Sequence, residues 1–200
     1  MLTAFQNFLY NCAISFDLPI LDWIQANLQS GFMDKFMPFI TVFGDAGIFW
    51  MIWAAVLFLF PKTRKTGLGM AIAMMIGLLV CNVTLKPLVA RIRPYDLQAE
   101  LGVAIQLLCE AQHDFSFPSG HTIASFEAAV VLLKNSRKMG IPAMILAVLI
   151  SFSRLYLYVH YPTDVFASIL LGSLFALIGD ALAAKIAPKL RLGKKGRFEA

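Results

Sequence analysis

Long apolar stretches, separated by short basic segments, run through most of this 200-residue chain. A helix that crosses a membrane needs roughly 17–25 predominantly apolar residues. Five stretches reach or approach that length, at residues 46–60, 67–85, 119–133, 141–158 and 165–187. The first stretch could begin near residue 36. The first and the third would need flanking residues to be long enough to cross the membrane. The pattern predicts an all-α, polytopic bundle with five clear transmembrane spans.

The N-terminal third departs from this pattern in two places. Residues 1–32 mix apolar positions such as Phe8 and Trp23 with polar positions such as Asp17. This mixture is typical of a helix that lies on a membrane surface, so we predict an amphipathic N-terminal helix, or a partial sixth span. Further along, the sequence Gly-Asp-Ala-Gly at residues 44–47 interrupts the first apolar stretch and predicts a kink there.

The composition also indicates a membrane protein. Hydrophobic residues make up 59% of the chain, charged residues make up 14%, and the mean hydropathy is +0.73. A chain of this composition has too little polar material to cover the surface of a soluble domain. Because no internal repeat, low-complexity run or linker interrupts it, we predict one membrane-embedded domain over residues 1–200.

The net charge of +5 could indicate a nucleic-acid partner or an anionic membrane, and the placement of the cations decides between them. Twelve of the 17 Lys and Arg residues fall in three segments: Lys62, Arg64 and Lys65; Lys134, Arg137 and Lys138; and Lys185, Lys189, Arg191, Lys194, Lys195 and Arg197. These segments alternate with the apolar stretches, and short basic loops stay in the cytoplasm. The positive charge is therefore explained by the membrane topology, with the 188–200 tail in the cytoplasm. It does not indicate a nucleic-acid partner.

Three blocks of polar residues fall at the opposite, extracytoplasmic ends of the predicted spans. They are Lys86 with Arg93-Pro94, then Pro118-Ser119-Gly120-His121, then Ser153-Arg154 with His160 and Asp164. The predicted topology brings all three blocks to one membrane boundary. A phosphoryl-transfer site needs cations and backbone N–H groups that hold oxygens, next to a nucleophile and an acid. Together the blocks contain these groups.

The first two blocks each have a chemical and a structural interpretation. Lys86 and Arg93, seven residues apart on a helix that the following proline would end, could clamp a phosphate or could be interfacial cations. The second block could bind an anion at a helix N-terminus, with Ser119 and the Gly120 backbone as donors and His121 as an acid. Its structural alternative is a capped helix start.

The third block suggests a nucleophile. Asp164 follows His160 by four residues across a turn, so its carboxylate could accept a hydrogen bond from one ring nitrogen and leave the other as nucleophile or base. Arg154, near the end of the preceding span, offers a planar fork suited to phosphate oxygens. We expect this site to face solvent. The structural alternative is that the histidine is a polar residue at the membrane edge.

In order, the blocks read K-x6-R-P, P-S-G-H and S-R-x5-H-x3-D, and they resemble the signature of the type 2 phosphatidic acid phosphatase family over roughly residues 35–187. The resemblance implies a bundle of six spans and a lipid phosphatase that uses no metal or other cofactor. It implies that His160 attacks phosphorus to form a phosphohistidine, that Asp164 orients it and that His121 protonates the leaving group. The phosphoryl oxygens would be held by Lys86, Arg93, Ser119, the Gly120 backbone and Arg154.

A site at the outer membrane boundary suits a lipid whose phosphate lies at the interface and whose tail stays in the bilayer. The short chain favours undecaprenyl diphosphate, with phosphatidylglycerophosphate or phosphatidic acid as alternatives. A protein of another class, which binds or moves a phospholipid without catalysis, stays open. Segment 95–117 would cover the site and contact the headgroup. Glu127 and Asp180, which lie inside spans, would pair within the bundle or line the path by which the lipid enters.

Overall fold

The computed structural model describes residues 4–188, and the regular elements within that range are helical. In chain order they include α1 (Ala4–Cys12), α2 (Leu18–Leu28), α3 (Met33–Thr41), α4 (Ile48–Leu59), α5 (Arg64–Gly77), α6 (Lys86–Val89), α7 (Pro94–Glu100), α8 (Gly120–Asn135), α9 (Arg137–Tyr156) and α10 (Pro162–Ile186). The π-helical segments Ala13–Asp17 and Leu78–Leu85 join α1 to α2 and α5 to α6, and the 3₁₀ segment Val42–Gly47 joins α3 to α4. The predicted all-helical bundle is confirmed.

Within the described residues, four largely helical stretches are long and apolar enough to cross a membrane: Met33–Leu59, Arg64–Glu100, Arg137–Tyr156 and Pro162–Ile186. They coincide with four of the predicted spans. The remaining one, residues 119–133, becomes α8, whose 16 residues are shorter than a typical span. α8 packs against α5, α9 and α10 and lies inside the bundle. The chain is an integral membrane protein.

Small residues let the helices of the bundle approach one another closely. A Cβ added to Gly179 of α10 would lie 2.6 Å from the backbone oxygen of Gly69 on α5. A Cβ added to Gly67 would lie 2.5 Å from the backbone oxygen of Ala54 on α4. Close backbone approach stabilises helix pairs in lipid, where the hydrophobic effect between helices is weak. α5 is therefore held tightly between α4 and α10.

The predicted kink in the first apolar stretch is confirmed. Ala46 and Gly47 have left-handed backbone conformations, with φ of 47° and 67°, and they break the helix between α3 and α4. A Cβ added to Gly44 would lie 2.6 Å from Cδ2 of His121, so a glycine is needed for the chain to pass this close to the ring. The kink thus brings segment 42–47 against the start of α8.

The N-terminal segment is helical and has two faces, as its pattern predicts. Leu21 and Ile24 of α2 are buried against the end of α9 and the connection that follows it, while Phe8 and Trp23 are exposed. Asp17, in the π-helical segment, is fully buried although its side chain is a carboxyl group. The position of this segment on a membrane surface stays a prediction.

The prediction that the proline at position 94 ends a helix is wrong. α6 already ends at Val89, Ala90 adopts a φ of 47°, and Pro94 begins α7. Proline suits the first turn of a helix because its φ is already helical and its missing N–H would have no partner there. Arg93 therefore lies on an extended connection and not on the same helix as Lys86. Its side chain is 2% exposed.

The predicted basic loops meet at the opposite end of the bundle. The Nζ atoms of Lys65 and Lys134 lie 3.2 Å and 3.1 Å from the carboxylate of Asp180, which also accepts a hydrogen bond from Asn135 at 2.9 Å. These residues stand at the start of α5, the end of α8 and the last turns of α10. Asp180 pairs within the bundle, which was one of its two predicted alternatives.

Candidate active site

The eight residues that the sequence singles out lie together at one end of the bundle. They belong to the ends of α6, α8, α9 and α10 and to the connections between these helices. A cavity of about 780 Å³ opens there, and five of the eight line it: Lys86, Arg93, Gly120, His121 and His160. The other three are also buried: Ser119, Arg154 and Asp164. The fold therefore assembles the three blocks into one site.

His160 is among the most deeply buried residues that line this cavity. It is 2% exposed, so the expectation of a solvent-facing site is wrong at this position. Its Nδ1 atom lies 3.7 Å from Oδ2 of Asp164, and its Nε2 atom lies 3.4 Å from Nη1 of Arg93. Burial lowers the pKa of His160 well below its ordinary value, and the positive charges of Arg93 and Arg154 lower it further. The ring is therefore neutral and able to act as a nucleophile.

Asp164 is held in a fixed orientation by its own hydrogen bonds. Its Oδ2 atom accepts from the Ser116 hydroxyl at 2.5 Å and from the backbone N–H of Tyr161 at 3.1 Å. Its Oδ1 atom accepts from Nη1 of Arg91. Oδ2 lies 3.7 Å from Nδ1 of His160, which is longer than a hydrogen bond, so the hydrogen bond that the sequence predicts is not made in this structure.

Two residues that sequence reasoning did not assign to the site are joined to Asp164. The guanidinium of Arg91 bridges Asp164 and Asp17, with Nη2 2.7 Å from Oδ2 of Asp17. Arg91 was recognisable only as one of the few cations outside the basic loops, and Asp17 only as a polar position in an amphipathic segment. Neither signal could indicate that the two side chains meet, because they are 74 residues apart.

Lys86 and Arg93 both bind the carboxylate of Asp114. Arg93 also donates from Nε to the backbone oxygen of Asp114 at 2.8 Å and from Nη1 to that of Val159 at 2.7 Å. Burial alone would raise the pKa of Asp114, but the Lys86 hydrogen bond and the charges of both cations lower it to about 2. Asp114 and Gln112 also line the cavity, which agrees with the expectation that segment 95–117 covers the site.

Arg154 has unused hydrogen-bonding capacity. Its Nη1 donates to the Thr41 hydroxyl at 2.6 Å, whereas Nε and Nη2 are buried and have no partner. Buried guanidinium N–H groups without an acceptor are rare, because each one loses its hydration without replacement. A planar pair of free donors matches two oxygens of one phosphate group.

The Pro-Ser-Gly-His block forms the start of α8, as its pattern predicts. Ser119 precedes the helix, its N–H donates to the Ser168 hydroxyl at 2.8 Å, and Gly120 begins the first turn on the cavity wall. Nε2 of His121 lies 2.7 Å from Oδ1 of Asp45, in the kink between α3 and α4. Asp45 is a further residue that the sequence did not place at the site, because the motif around it indicated only a break.

The cavity continues from these polar groups into an apolar groove between α4, α5 and α8. Its wall there includes Ala54, Phe58, Leu68, Ala71 and Ala124. Glu127 lines the same cavity, is 1% exposed, and has one carboxylate oxygen without a partner. Of its two predicted alternatives, the structure places it along the groove. Across residues 4–188, no three His, Cys, Asp or Glu side chains are grouped in a way that could hold a metal ion.

Comparison with known proteins shows similarity in sequence and in fold. The sequence pattern of the PAP2 superfamily matches residues 66–185. An undecaprenyl-diphosphatase of Sulfolobus acidocaldarius is 35% identical over 161 residues, which cover 80% of this chain and 75% of that protein. The undecaprenyl-diphosphatase BcrC of Bacillus subtilis is 30% identical over 154 residues, which cover 75% of this chain and 77% of that protein.

A solved structure is similar over nearly the whole chain. The crystal structure of a transmembrane PAP2-type phosphatidylglycerolphosphate phosphatase from Bacillus subtilis gives a TM-score of 0.72 at 27% sequence identity. The match covers 91% of this chain and 92% of that one. The fold and the site thus define an integral membrane enzyme that hydrolyses lipid phosphate esters. The chain belongs to the PAP2 superfamily, which confirms the resemblance read from its three motifs.

Proposed function

We propose that this enzyme hydrolyses undecaprenyl diphosphate to undecaprenyl phosphate and inorganic phosphate. The observation that supports this most directly is that one cavity contains both the cationic site and the apolar groove. A lipid can therefore place its phosphates among Lys86, Arg93 and Arg154 while its tail lies between α4, α5 and α8. The two relatives named as undecaprenyl-diphosphatases support a polyprenyl diphosphate over other lipid phosphates.

In the first step, we assign His160 as the nucleophile. Its Nε2 attacks the terminal phosphorus, a P–N bond forms, and the P–O bond to the lipid phosphate breaks. His121 transfers a proton to the departing oxygen. Asp164 accepts a hydrogen bond from Nδ1 as the ring becomes positive, which requires the 3.7 Å between Nδ1 and Oδ2 to shorten.

The remaining site residues hold the transferred phosphoryl group. Lys86, Arg93 and Arg154 supply positive charge to its oxygens, and the Ser119 hydroxyl and Gly120 N–H add donors at the start of α8. In the second step, His121 takes a proton from a water molecule, which attacks phosphorus, and the P–N bond breaks. Phosphate leaves and neutral His160 is regenerated. No step in this sequence requires a metal or other cofactor.

We also propose that the active site faces the extracytoplasmic side. The basic loops lie at the other end of the bundle, where Lys65 and Lys134 meet Asp180, and such loops favour the cytoplasm. The basic tail, residues 188–200, would then be cytoplasmic, although residues 189–200 lie outside the described range. Cytoplasmic and periplasmic reporters fused to the C-terminus test this orientation, and periplasmic activity would refute it.

The direct test measures phosphate release by purified protein in detergent with EDTA. Undecaprenyl diphosphate, phosphatidylglycerophosphate and phosphatidic acid are compared as substrates, with His160→Ala as the control. Preference for undecaprenyl diphosphate that disappears in the variant supports the proposal. Preference for either phospholipid would replace the proposed substrate, and no release from any of the three would favour a protein that binds phospholipid without catalysis.

The groove can be tested separately with substrates of different tail length. Ala71→Phe places a ring in the groove, so we expect KM for undecaprenyl diphosphate to rise about tenfold or more, with little change for isopentenyl diphosphate. Ala184→Phe, at an exposed position of α10 outside the cavity, is the matched control. Equal effects of Ala71→Phe on both substrates would show that the tail does not occupy this groove.

A further inference from the structure

A buried network joins the N-terminal segment to the catalytic end of α10. Arg91, which is 6% exposed, donates from Nη1 to Asp164 and to the Thr163 hydroxyl, the latter at 2.8 Å. From Nη2 it donates to Asp17 at 2.7 Å and to the backbone oxygen of Leu9 at 3.4 Å. The two terminal nitrogens of the guanidinium therefore bind two different carboxylates.

Asp17 is bound from the other side by α10 itself. Its Oδ1 accepts from the backbone N–H of Thr163 at 2.9 Å, and its Oδ2 accepts from the Thr163 hydroxyl at 2.8 Å. Asp17 is 0% exposed. The guanidinium carbon of Arg91 also lies 3.8 Å from the centre of the Tyr161 ring, which fixes its plane. The N-terminal segment is therefore bound to the residue next to Asp164.

The three charged groups of this network act on the ring of His160 together. The guanidinium of Arg91 lies between the two carboxylates, and one of these, that of Asp164, lies 3.7 Å from Nδ1 of His160. When Nε2 attacks phosphorus, the ring becomes positive, and a nearby negative charge stabilises it. Because Arg91 also binds Asp17, its electrostatic attraction to Asp164 is weaker. Asp164 can therefore still accept a hydrogen bond from His160.

We propose that Arg91 and Asp17 are positioning residues for catalysis, which act on His160 through the orientation and charge of Asp164. The inference rests on the proposed role of His160 as nucleophile. It gives the N-terminal segment a part in the reaction, although none of the described residues of that segment lines the cavity proposed to hold the phosphate.

The test compares wild type with Asp17→Asn and Arg91→Met in steady-state hydrolysis of undecaprenyl diphosphate. We expect kcat to fall about tenfold to a hundredfold in both variants, because the attacking ring is less well oriented and less stabilised. KM should stay within about twofold, because Lys86, Arg93 and Arg154 still bind the phosphates. Asp17→Asn keeps a side-chain oxygen for the Thr163 N–H, so it disturbs the fold least.

The pH dependence of kcat gives a readout that a purely structural role would not change. Around Asp164 and His160, the charged and titratable groups are Arg91, Asp17, Tyr161, Arg93, Arg154, Lys86 and His121. Without Arg91, two buried carboxylates lack their cation and one takes up a proton more readily. The acidic limb of the pH profile should therefore move to higher pH in Arg91→Met. In Arg91→Lys, which keeps the positive charge, the position of this limb should return closer to its wild-type value than kcat does.

Asp180→Asn is the matched control, since it removes a buried, cation-bound carboxylate at the other end of the bundle. It should lower Tm and leave kcat and the pH profile unchanged. The inference fails if Asp17→Asn and Arg91→Met keep the kcat of wild type. It also fails if the loss of activity in both variants equals the loss of folded protein and the pH profile of kcat does not change. Wild-type protein that releases no phosphate would instead refute the proposed function, and with it this inference.

Discussion

The two ends of the bundle both contain buried carboxylates bound by cations, but they differ in how completely their polar groups are satisfied. Asp180 is bound by Lys65, Lys134 and Asn135, and both lysines are about half exposed. At the other end, two nitrogens of Arg154 and Nδ1 of His160 are buried without a hydrogen-bond partner.

This difference separates stabilising groups from functional ones. An unsatisfied buried donor destabilises the folded state, so it persists where a ligand or a reaction step supplies the missing partner. We therefore expect the end with Asp180 to stabilise the fold and the end with Arg154 to bind a phosphate. Substitutions at the two ends should therefore separate activity from stability.

The largest effect is expected for His160→Ala. Loss of the nucleophile should lower kcat by at least about a thousandfold, because water cannot replace the positioned ring. The protein should stay folded, since the removed side chain leaves no charge unpaired. Phosphate release and the thermal unfolding of the purified variant measure the two expectations. Retained turnover would exclude His160 as the nucleophile.

Arg154→Met should lower activity strongly without lowering stability. We expect kcat/KM to fall about a hundredfold to a thousandfold, as for removal of one group that stabilises transition-state charge. Tm should be unchanged or higher, because the variant removes a buried charge with two free donors. A large drop in Tm would mean that Arg154 is mainly a structural residue.

Asp180→Asn should have the opposite effect. Its charge-assisted contacts with Lys65 and Lys134 are lost, so the free energy of unfolding should fall by about 1–3 kcal/mol. Turnover per folded molecule should match wild type. Denaturation in mixed micelles, combined with phosphate release, checks this prediction. Reduced turnover at full folding would show that the two ends are coupled.

Stability at mildly acid pH should depend on His160. Its folded-state pKa lies well below the ordinary value of about 6.5, so below that pH the unfolded chain binds a proton that the folded chain does not. Stability should therefore fall as pH decreases, by up to about 1.4 kcal/mol per pH unit from this group. The Tm of His160→Ala should fall less between pH 7 and pH 5.5, and an equal fall would contradict the assignment.

The smallest effect is expected for Asp114→Asn. The Asp114 carboxylate binds Lys86 and Arg93, so we expect it to compete with a phosphate for these two cations. Because the carboxylate is about half exposed, the gain on removing its charge is modest, and the inhibition constant of inorganic phosphate should fall about twofold to fivefold. Weaker inhibition would instead show that Asp114 holds the two cations in position.

The apolar helices and the eight candidate residues could be identified from the sequence because their signals are local. An apolar stretch such as 165–187 predicts its own helix, and the Ser119 to His121 block predicts a helix start from adjacent residues. Asp17, Asp45 and Arg91 had no comparable signal, because each acts through a partner that is distant in the chain. The sequence analysis also did not predict the helix break after Val89. A proline is compatible both with the end of one helix and with the start of the next, so its position alone does not show which side is helical.

The sequence by itself determined that this chain is a membrane-embedded helical bundle, and it predicted a phosphate-binding site at one end. Apolar length, basic loops and three compact motifs are sufficient for that, since each depends on residues that are close in the chain. Only the tertiary structure decided that His160 is buried, that Arg154 keeps free donors, and that Arg91 joins Asp17 to Asp164. Burial and pairing depend on which helices meet, and that follows from packing between distant segments.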